Sequence, residues 1–294
     1  MDDVQSAEDG AIAVLARVAA GSAGQMGAEN FPVALRLLPR DVRADLARVY
    51  AFARFVDDVG DEAPGDRASL LNVVESDVRE LWGGEPALEV VAALKPVVLQ
   101  HGIGVETLLG LVEANRVDQQ KARYQSFADL LEYCRLSAAP IGRMVLCIAG
   151  AATASNLADS DQVCAALQVL EHCQDVAEDA RAGRVYLPAD DLRAAGVADV
   201  DLTASHTSSP LRSAVALQVD RARELLRAGV PLVRRLHGWS RIAVAGYVAG
   251  GLATADALAA AHYDVLADQV RPTHARTARH ALRLLLGSGS RCIR

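Results

Sequence analysis

Two short files of carboxylates are the residues of this chain whose type and spacing suit catalysis. The first lies in residues 41–62, DVRADLARVYAFARFVDDVGDE. On a helix turning about 100° per residue, Leu46, Val49, Ala53 and Val56 share a side with Val42 and form a core stripe. Tyr50, Arg54, Asp57 and Asp61 run along one edge of that stripe, and Asp58 and Glu62 turn further round towards solvent. The second file lies in residues 161–188, DQVCAALQVLEHCQDVAEDARAGRVYLP. Val163, Ala166, Leu167, Leu170 and Ala177 mark its core side, with Gln174 close to the core. Glu171, Asp175 and Asp179 step along one edge at four-residue spacing, beside Glu178. Arg184 and Tyr186 follow where Gly183 and Pro188 end the helix.

Hard oxygen ligands one helical turn apart suit Mg2+, which is typically held by one or two carboxylates together with substrate phosphates. Two such helices facing each other can hold a diphosphate through several Mg2+ ions, with nearby arginines taking the remaining phosphate charge bidentately. A solvated face is the plain alternative for either file. Like charges four residues apart, however, destabilise a helix by about 0.2–0.5 kcal/mol per pair. Two such files at core edges call for a counter-charge, and spacing alone leaves a divalent-metal site and a solvated surface evenly matched.

The elements that must position these residues are helical throughout. The chain has 294 residues, 51% hydrophobic, 23% charged and only 4% aromatic. That excludes a disordered chain and disulfide or collagen scaffolds. An apolar load carried by alanine, leucine and valine, with few aromatics, favours helices over strands. Three- and four-residue apolar periodicity predicts helices over 11–20, 41–60, 68–82, 87–100, 105–119, 127–150, 161–182, 210–236 and 239–268. Breaks are expected at 21–32, 63–66, 83–86, 153–160, 188–210 and 271–274. Ser126 and Asp129 read as a capping-box variant, and Pro140 with Gly142 predicts an interruption around 136–140. Gly102-x-Gly104 reads as a helix break rather than a nucleotide loop. The most apolar run, Ile242 to Ala261, contains three glycines and Asp256 and reads as a buried helix rather than a membrane span. Net charge is −7, which does not suggest a nucleic-acid partner. Five scattered cysteines (Cys134, Cys147, Cys164, Cys173 and Cys292) and an acidic N-terminus point to reduced thiols in a cytoplasmic protein.

Tyr50-x-x-x-Arg54-x-x-Asp57-Asp58-x-x-Asp61-Glu62 resembles the first aspartate-rich motif of the squalene and phytoene synthases. Gln174-Asp175-Val-Ala-Glu178-Asp179, continuing through Arg181, Arg184, Tyr186 and Pro188, resembles the second. Between them, Tyr133-Cys134-x-x-x-Ala138-x-x-x-Gly142 is similar to the family's central tyrosine helix. The resemblance runs from about Glu29 to Arg271, with the motifs in the family's order. Glu29-Asn30-Phe31-Pro32-Val33 and the stretch from Tyr133 to Arg143 resemble the bacterial hydroxysqualene synthase branch of hopanoid pathways. Two positions depart from the pattern. Glu171 stands where the family commonly has Asn, and Ala139 where the branch usually has Asn.

The resemblance implies an all-α isoprenoid synthase fold, a single helical domain around a central apolar cavity. It spans residues 29–271, after an N-terminal segment and lead-in helix over 1–28 and before a basic tail over 272–294. It implies two or three Mg2+ ions on Asp57, Asp61, Glu171, Asp175 and Asp179. It gives Arg54, Arg184, Tyr50 and Tyr186 to the substrate diphosphate and a catalytic place to Tyr133. The expected reaction ionises presqualene diphosphate, with water capture giving hydroxysqualene, and NADPH is not expected for it. Alternatives are a squalene, presqualene diphosphate or phytoene synthase condensing two prenyl diphosphates such as farnesyl diphosphate. More distant are an all-α Mg2+-dependent nucleotide phosphohydrolase and a non-enzymatic lipid-binding or scaffold protein. Tyr50, Tyr133 and Phe31 are the few aromatic candidates for stabilising a carbocation. The segment Arg271–Arg294 carries six arginines, two histidines and no acid. It reads first as a solvated tail, with peripheral contact to anionic lipid at the inner membrane face as its alternative.

Overall fold

Short polar residues open the helices where the sequence offers them. Asp66 accepts from the amides of Ala68 and Ser69, Ser126 from Asp129, Thr153 from Asn156, Ser208 from Leu211 and Thr273 from Arg276. Each satisfies an amide that the first turn leaves without a partner. The computed structural model describes residues 2–25, 38–267 and 270–287; Glu29 to Val33 lie outside them. The helices are α1 Asp2–Gln25, α2 Arg40–Asp61, α3 Arg67–Arg79, α4 Glu89–Ala92, α5 Lys95–His101, α6 Val105–Gln120, α7 Phe127–Ser137 and α8 Ala139–Ile148. They continue with α9 Ala154–Gln174, α10 Val176–Arg181, α11 Ala189–Ala195, α12 Ser209–Arg235, α13 Gly238–Ala260 and α14 His274–Leu285. Among the described residues there is no strand, only an isolated parallel bridge between Arg123 and Val185.

Several expected boundaries shift. The helix expected from 161 begins at Ala154, because Thr153 caps it. The run 127–150 divides at Ala138, as Pro140 requires, and 161–182 divides at Asp175. The stretch 188–210 contains α11 and a 3-10 turn over Asp199–Thr203. Gly102 ends α5 at a left-handed φ of 62°, confirming the Gly102-x-Gly104 break. The expected C-terminal tail is instead, over His274–Leu285, a helix packed on α13.

The chain forms two compact units, residues 1–120 with 140–152, and residues 121–139 with 153–294. In the first, α2 packs on α1, α3 and α6 and buries Leu46, Val49, Phe52, Phe55, Val56 and Val59. Several neighbours rather than one, the short α4 among them, explain why its buried arc is wider than the predicted stripe. In the second, α9 packs on α12 and α13, and α13 on α12 and α14. α13 is long and apolar enough to cross a membrane by length and composition, yet 56% of its apolar window is buried against the chain's own helices.

Small residues let these helices approach. A Cβ on Gly229 of α12 would sit 2.4 Å from Val163 Cγ2 and 3.0 Å from the Asp159 carbonyl oxygen of α9. One on Gly251 of α13 would meet Leu167 at 2.9 Å and Leu226 at 3.0 Å. Gly229→Val therefore overpacks the α9–α12 contact and lowers stability by about 2–3 kcal/mol. Urea denaturation should show a lower midpoint with an unchanged slope; an unchanged midpoint would mean the contact relaxes at no cost.

Candidate active site

The first acidic file lies at the C-terminal end of α2. Asp57 accepts a hydrogen bond from Asn115 Nδ2 of α6 at 3.2 Å, and it feels the like charges of Asp61 and Asp58 and the opposite charge of Arg54. Asn115 also donates to the Leu111 carbonyl at 3.1 Å, and Gln119 Nε2 donates to the Gly60 carbonyl at 2.7 Å. Gly60 makes this approach possible, since a Cβ there would lie 1.9 Å from Asn115 Oδ1. Asp57 is open to solvent by surface area, yet the protein mass around it is the largest cause of a pKa raised to about 6. Both observations hold for a carboxylate whose tip is wet while its surroundings are crowded with protein.

Asp58 corrects the helical wheel. It was expected to face solvent, but it is 6% exposed, accepts from Ser22 Oγ of α1, and pairs with Arg54, Nε to Oδ1 at 2.9 Å. The wheel could not foresee that α1 covers this side of α2. Asp61 and Glu62 are exposed, and Tyr50 is half-buried on the same helix.

The second file survives the division of its helix. Asp175 is the residue between α9 and α10, at φ −104° and ψ 17°, but its carbonyl still accepts from Asp179 N at 2.8 Å and its own amide donates to Glu171 O at 3.0 Å. Glu171 feels Asp175 and Asp179 as like charges; crowding by protein raises its pKa first, and these neighbours add to the rise. Like Asp57, it remains open to solvent by area. Asp179 Oδ2 is buried without a hydrogen-bond partner, with His172 Nδ1 at 3.6 Å. The Arg184 amide donates to the Asp179 carbonyl at 2.8 Å, and the side chain of Arg184 is half-buried.

Tyr133 and Tyr186 meet in an aromatic cluster that sequence reasoning did not assemble. His172 stacks on Tyr186 at 3.7 Å between centroids and 11° between planes. Tyr124 stacks on the same ring at 5.5 Å and 19°, and Tyr133 lies 5.3 Å from Tyr124 and 5.5 Å from Tyr186. The loop carrying Tyr186 is held by Val185 N donating to Ala122 O at 2.8 Å and Ala189 N to Tyr124 O at 2.9 Å. Tyr247 of α13 is a further polar aromatic that the motifs do not mark. It is 36% exposed, yet burial pushes its phenol up to about 12, with Cys164 of α9 beside it. Cys134 and Cys173 are free, buried thiols pushed up to about 12, which makes them unsuited to nucleophilic work.

Among the described residues, no group of three or more His, Cys, Asp or Glu is arranged to hold a metal by itself. Mg2+ does not require such a cage, because substrate phosphates and water complete its shell. The donor sets fit it: mutually repelling carboxylates in each file, and a buried Asp179 oxygen without a hydrogen bond.

Comparison with known proteins gives the family. The Squalene/phytoene synthase family profile matches residues 25–278. A hydroxysqualene synthase of Zymomonas mobilis is 34% identical over 254 residues, covering 85% of this chain and 84% of its own. The crystal structure of squalene synthase HpnC from Alicyclobacillus acidocaldarius is 36% identical and superposes with a TM-score of 0.77 over 88% of this chain and 96% of that one. A dehydrosqualene synthase structure, 20% identical, superposes at 0.80 over 97% and 99%, which bears on the fold alone. The all-α isoprenoid synthase fold, the matched profile and these relatives together make the chain an enzyme of the squalene/phytoene synthase family.

Proposed function

We propose that the chain ionises presqualene diphosphate and captures the cation with water, releasing hydroxysqualene and diphosphate. The observation that carries this reading is the second acidic file, where Glu171, Asp175 and Asp179 repel one another and one buried Asp179 oxygen lacks a hydrogen bond. Relatives of 34–36% identity that are hydroxysqualene synthases support the choice of reaction. Asp57, Asp61, Glu171, Asp175 and Asp179 would hold two or three Mg2+ ions. Bound Mg2+ supplies Lewis-acid neutralisation of the leaving diphosphate. Arg54 and Arg184, with Tyr50, take up phosphate charge that the carboxylates cannot. The carbon–oxygen bond breaks with its electron pair leaving on diphosphate. A water oxygen then bonds to the rearranged cation, and its extra proton leaves to solvent or diphosphate. Tyr133, ordered by Tyr124 and Tyr186, offers a π face to positive charge. The surrounding aliphatic helices keep water away until rearrangement is complete.

Incubation with presqualene diphosphate and Mg2+, with and without NADPH, tests the reading. Hydroxysqualene without NADPH is the expected product. A second reading, full squalene synthesis, is favoured by the 36%-identical structure of a squalene synthase; squalene formed only with NADPH would replace the first reading by this one. Formation of presqualene diphosphate from farnesyl diphosphate alone would overturn the branch assignment.

The raised Asp57 also sets a pH dependence. Metal needs the ionised carboxylate, and Asp57 keeps its proton up to about pH 6. The Mg2+ concentration for half-maximal turnover should therefore rise about tenfold for each pH unit below about pH 6. Stability without metal runs the other way. A carboxyl whose folded pKa is raised stabilises the fold while protonated, and that contribution is lost as pH climbs from about 4 through about 6. Metal-free wild type should melt higher at about pH 5 than at about pH 7, and Asp57→Asn should remove part of that difference. Equal Mg2+ requirements at both pH values would count against Asp57 as a ligand.

A further inference from the structure

We infer that the outer face of the C-terminal helix α14 is a docking surface for an anionic lipid membrane. The sequence HARTARHALRLL contains three arginines, two histidines and no acid. Its inner side is fixed by the fold. Leu284 is 5% exposed, Arg241 Nη2 of α13 donates to the Leu285 carbonyl at 2.8 Å, and His280 Nε2 lies 2.8 Å from Asp256 Oδ2, which also pairs with Arg223. These contacts orient the helix and decide which residues face outward.

The outward residues fall into two adjacent files at four-residue spacing. One is His274, Ala278, Leu282 and Leu286, the other Ala275, Arg279 and Arg283, and all are exposed. Leu282 is 59% and Leu286 72% exposed, among the largest apolar side chains left in water. A file of leucines next to a file of arginines, without an acid, presents apolar area flanked by positive charge. It fits a surface that is apolar below and negatively charged above, where leucines enter the acyl boundary and guanidinium groups meet phosphate. The inference does not depend on which prenyl diphosphate the enzyme turns over.

The test is sedimentation of the full chain with phosphatidylcholine vesicles, with and without phosphatidylglycerol, at low and high salt. Partitioning should be about tenfold or more stronger on the anionic vesicles and should fall with salt. Arg279→Glu with Arg283→Glu should abolish that preference, and the Lys pair at the same positions should keep it. Leu282→Ser with Leu286→Ser should weaken binding about tenfold while melting temperature and turnover of dispersed substrate stay unchanged. Equal partitioning onto neutral and anionic vesicles, or unchanged binding by the folded Glu pair, would overturn the proposal. So would sedimentation velocity showing a dimer that the Ser pair dissolves, which would give the face to a second copy of the chain.

Discussion

Asp57→Asn is expected to lower kcat/KM on the prenyl diphosphate by about a thousandfold, with the fold intact. The amide is nearly isosteric and can still accept from Asn115, so the α2–α6 contact is preserved. What disappears is the negative charge, and with it one ligand of the proposed metal set. Removing an isolated surface charge would leave catalysis untouched, which separates this reading from a solvated file. Stability should move the opposite way to activity. A shift from 3.8 to about 6 would correspond to about 3 kcal/mol in a fully dry site. The open tip of Asp57 screens it, so about 1 kcal/mol is expected, a rise of about 2–4 °C in the metal-free melting temperature near neutral pH. Asp175→Asn should repeat the loss of turnover from the second file. Both variants should also lose Mg2+-induced thermal stabilisation. Full turnover with a normal Mg2+ response in both would remove the metal reading, although the family and fold would stand.

The chemistry of both files was legible because it depends on spacing within one helix. Asp57 with Asp61, and Glu171 with Asp175 and Asp179, need only the 3.6-residue repeat to come together. Caps and breaks were legible for the same local reason, as at Ser126 and around Pro140. Features set by a second element were not. Asp58 was misplaced because α1 supplies Ser22 across a separation of 36 residues. The stack of His172 on Tyr186 forms only when the chain turns at Gly183 and the Arg123–Val185 bridge holds the loop. Helical spacing gave no signal for it, because His172 falls opposite Val163 on the wheel of α9 and is buried only by the fold. Asn115 and Gln119, four apart on α6, were a readable sign of an amide file turned towards α2 that the motifs overshadowed. Basic composition hid α14, whose apolar positions were present at helical spacing but were read as part of a tail.

The other large effect belongs to Asp58, next to Asp57 in sequence and opposite to it in role. Asp58→Ala should remove about 3 kcal/mol or more of stability. The carboxylate is almost wholly buried and holds two elements at once, Arg54 on its own helix and Ser22 of α1. Its loss leaves the part-buried Arg54 guanidinium without that counter-charge and releases the end of α1. Breaking a buried pair from one side carries this cost because the remaining charge stays desolvated. Ser22→Ala removes a single neutral donor to the same carboxylate and should cost only about 1–2 kcal/mol. Denaturant midpoints order the three chains as wild type, Ser22→Ala, then Asp58→Ala. In the folded fraction of Asp58→Ala, Arg54 is no longer held in place, so KM for the diphosphate substrate should rise more than kcat falls. An Asp58→Ala chain as stable as wild type, with activity lost as fully as in Asp57→Asn, would instead place Asp58 among the ligands and reverse the roles of these neighbouring aspartates.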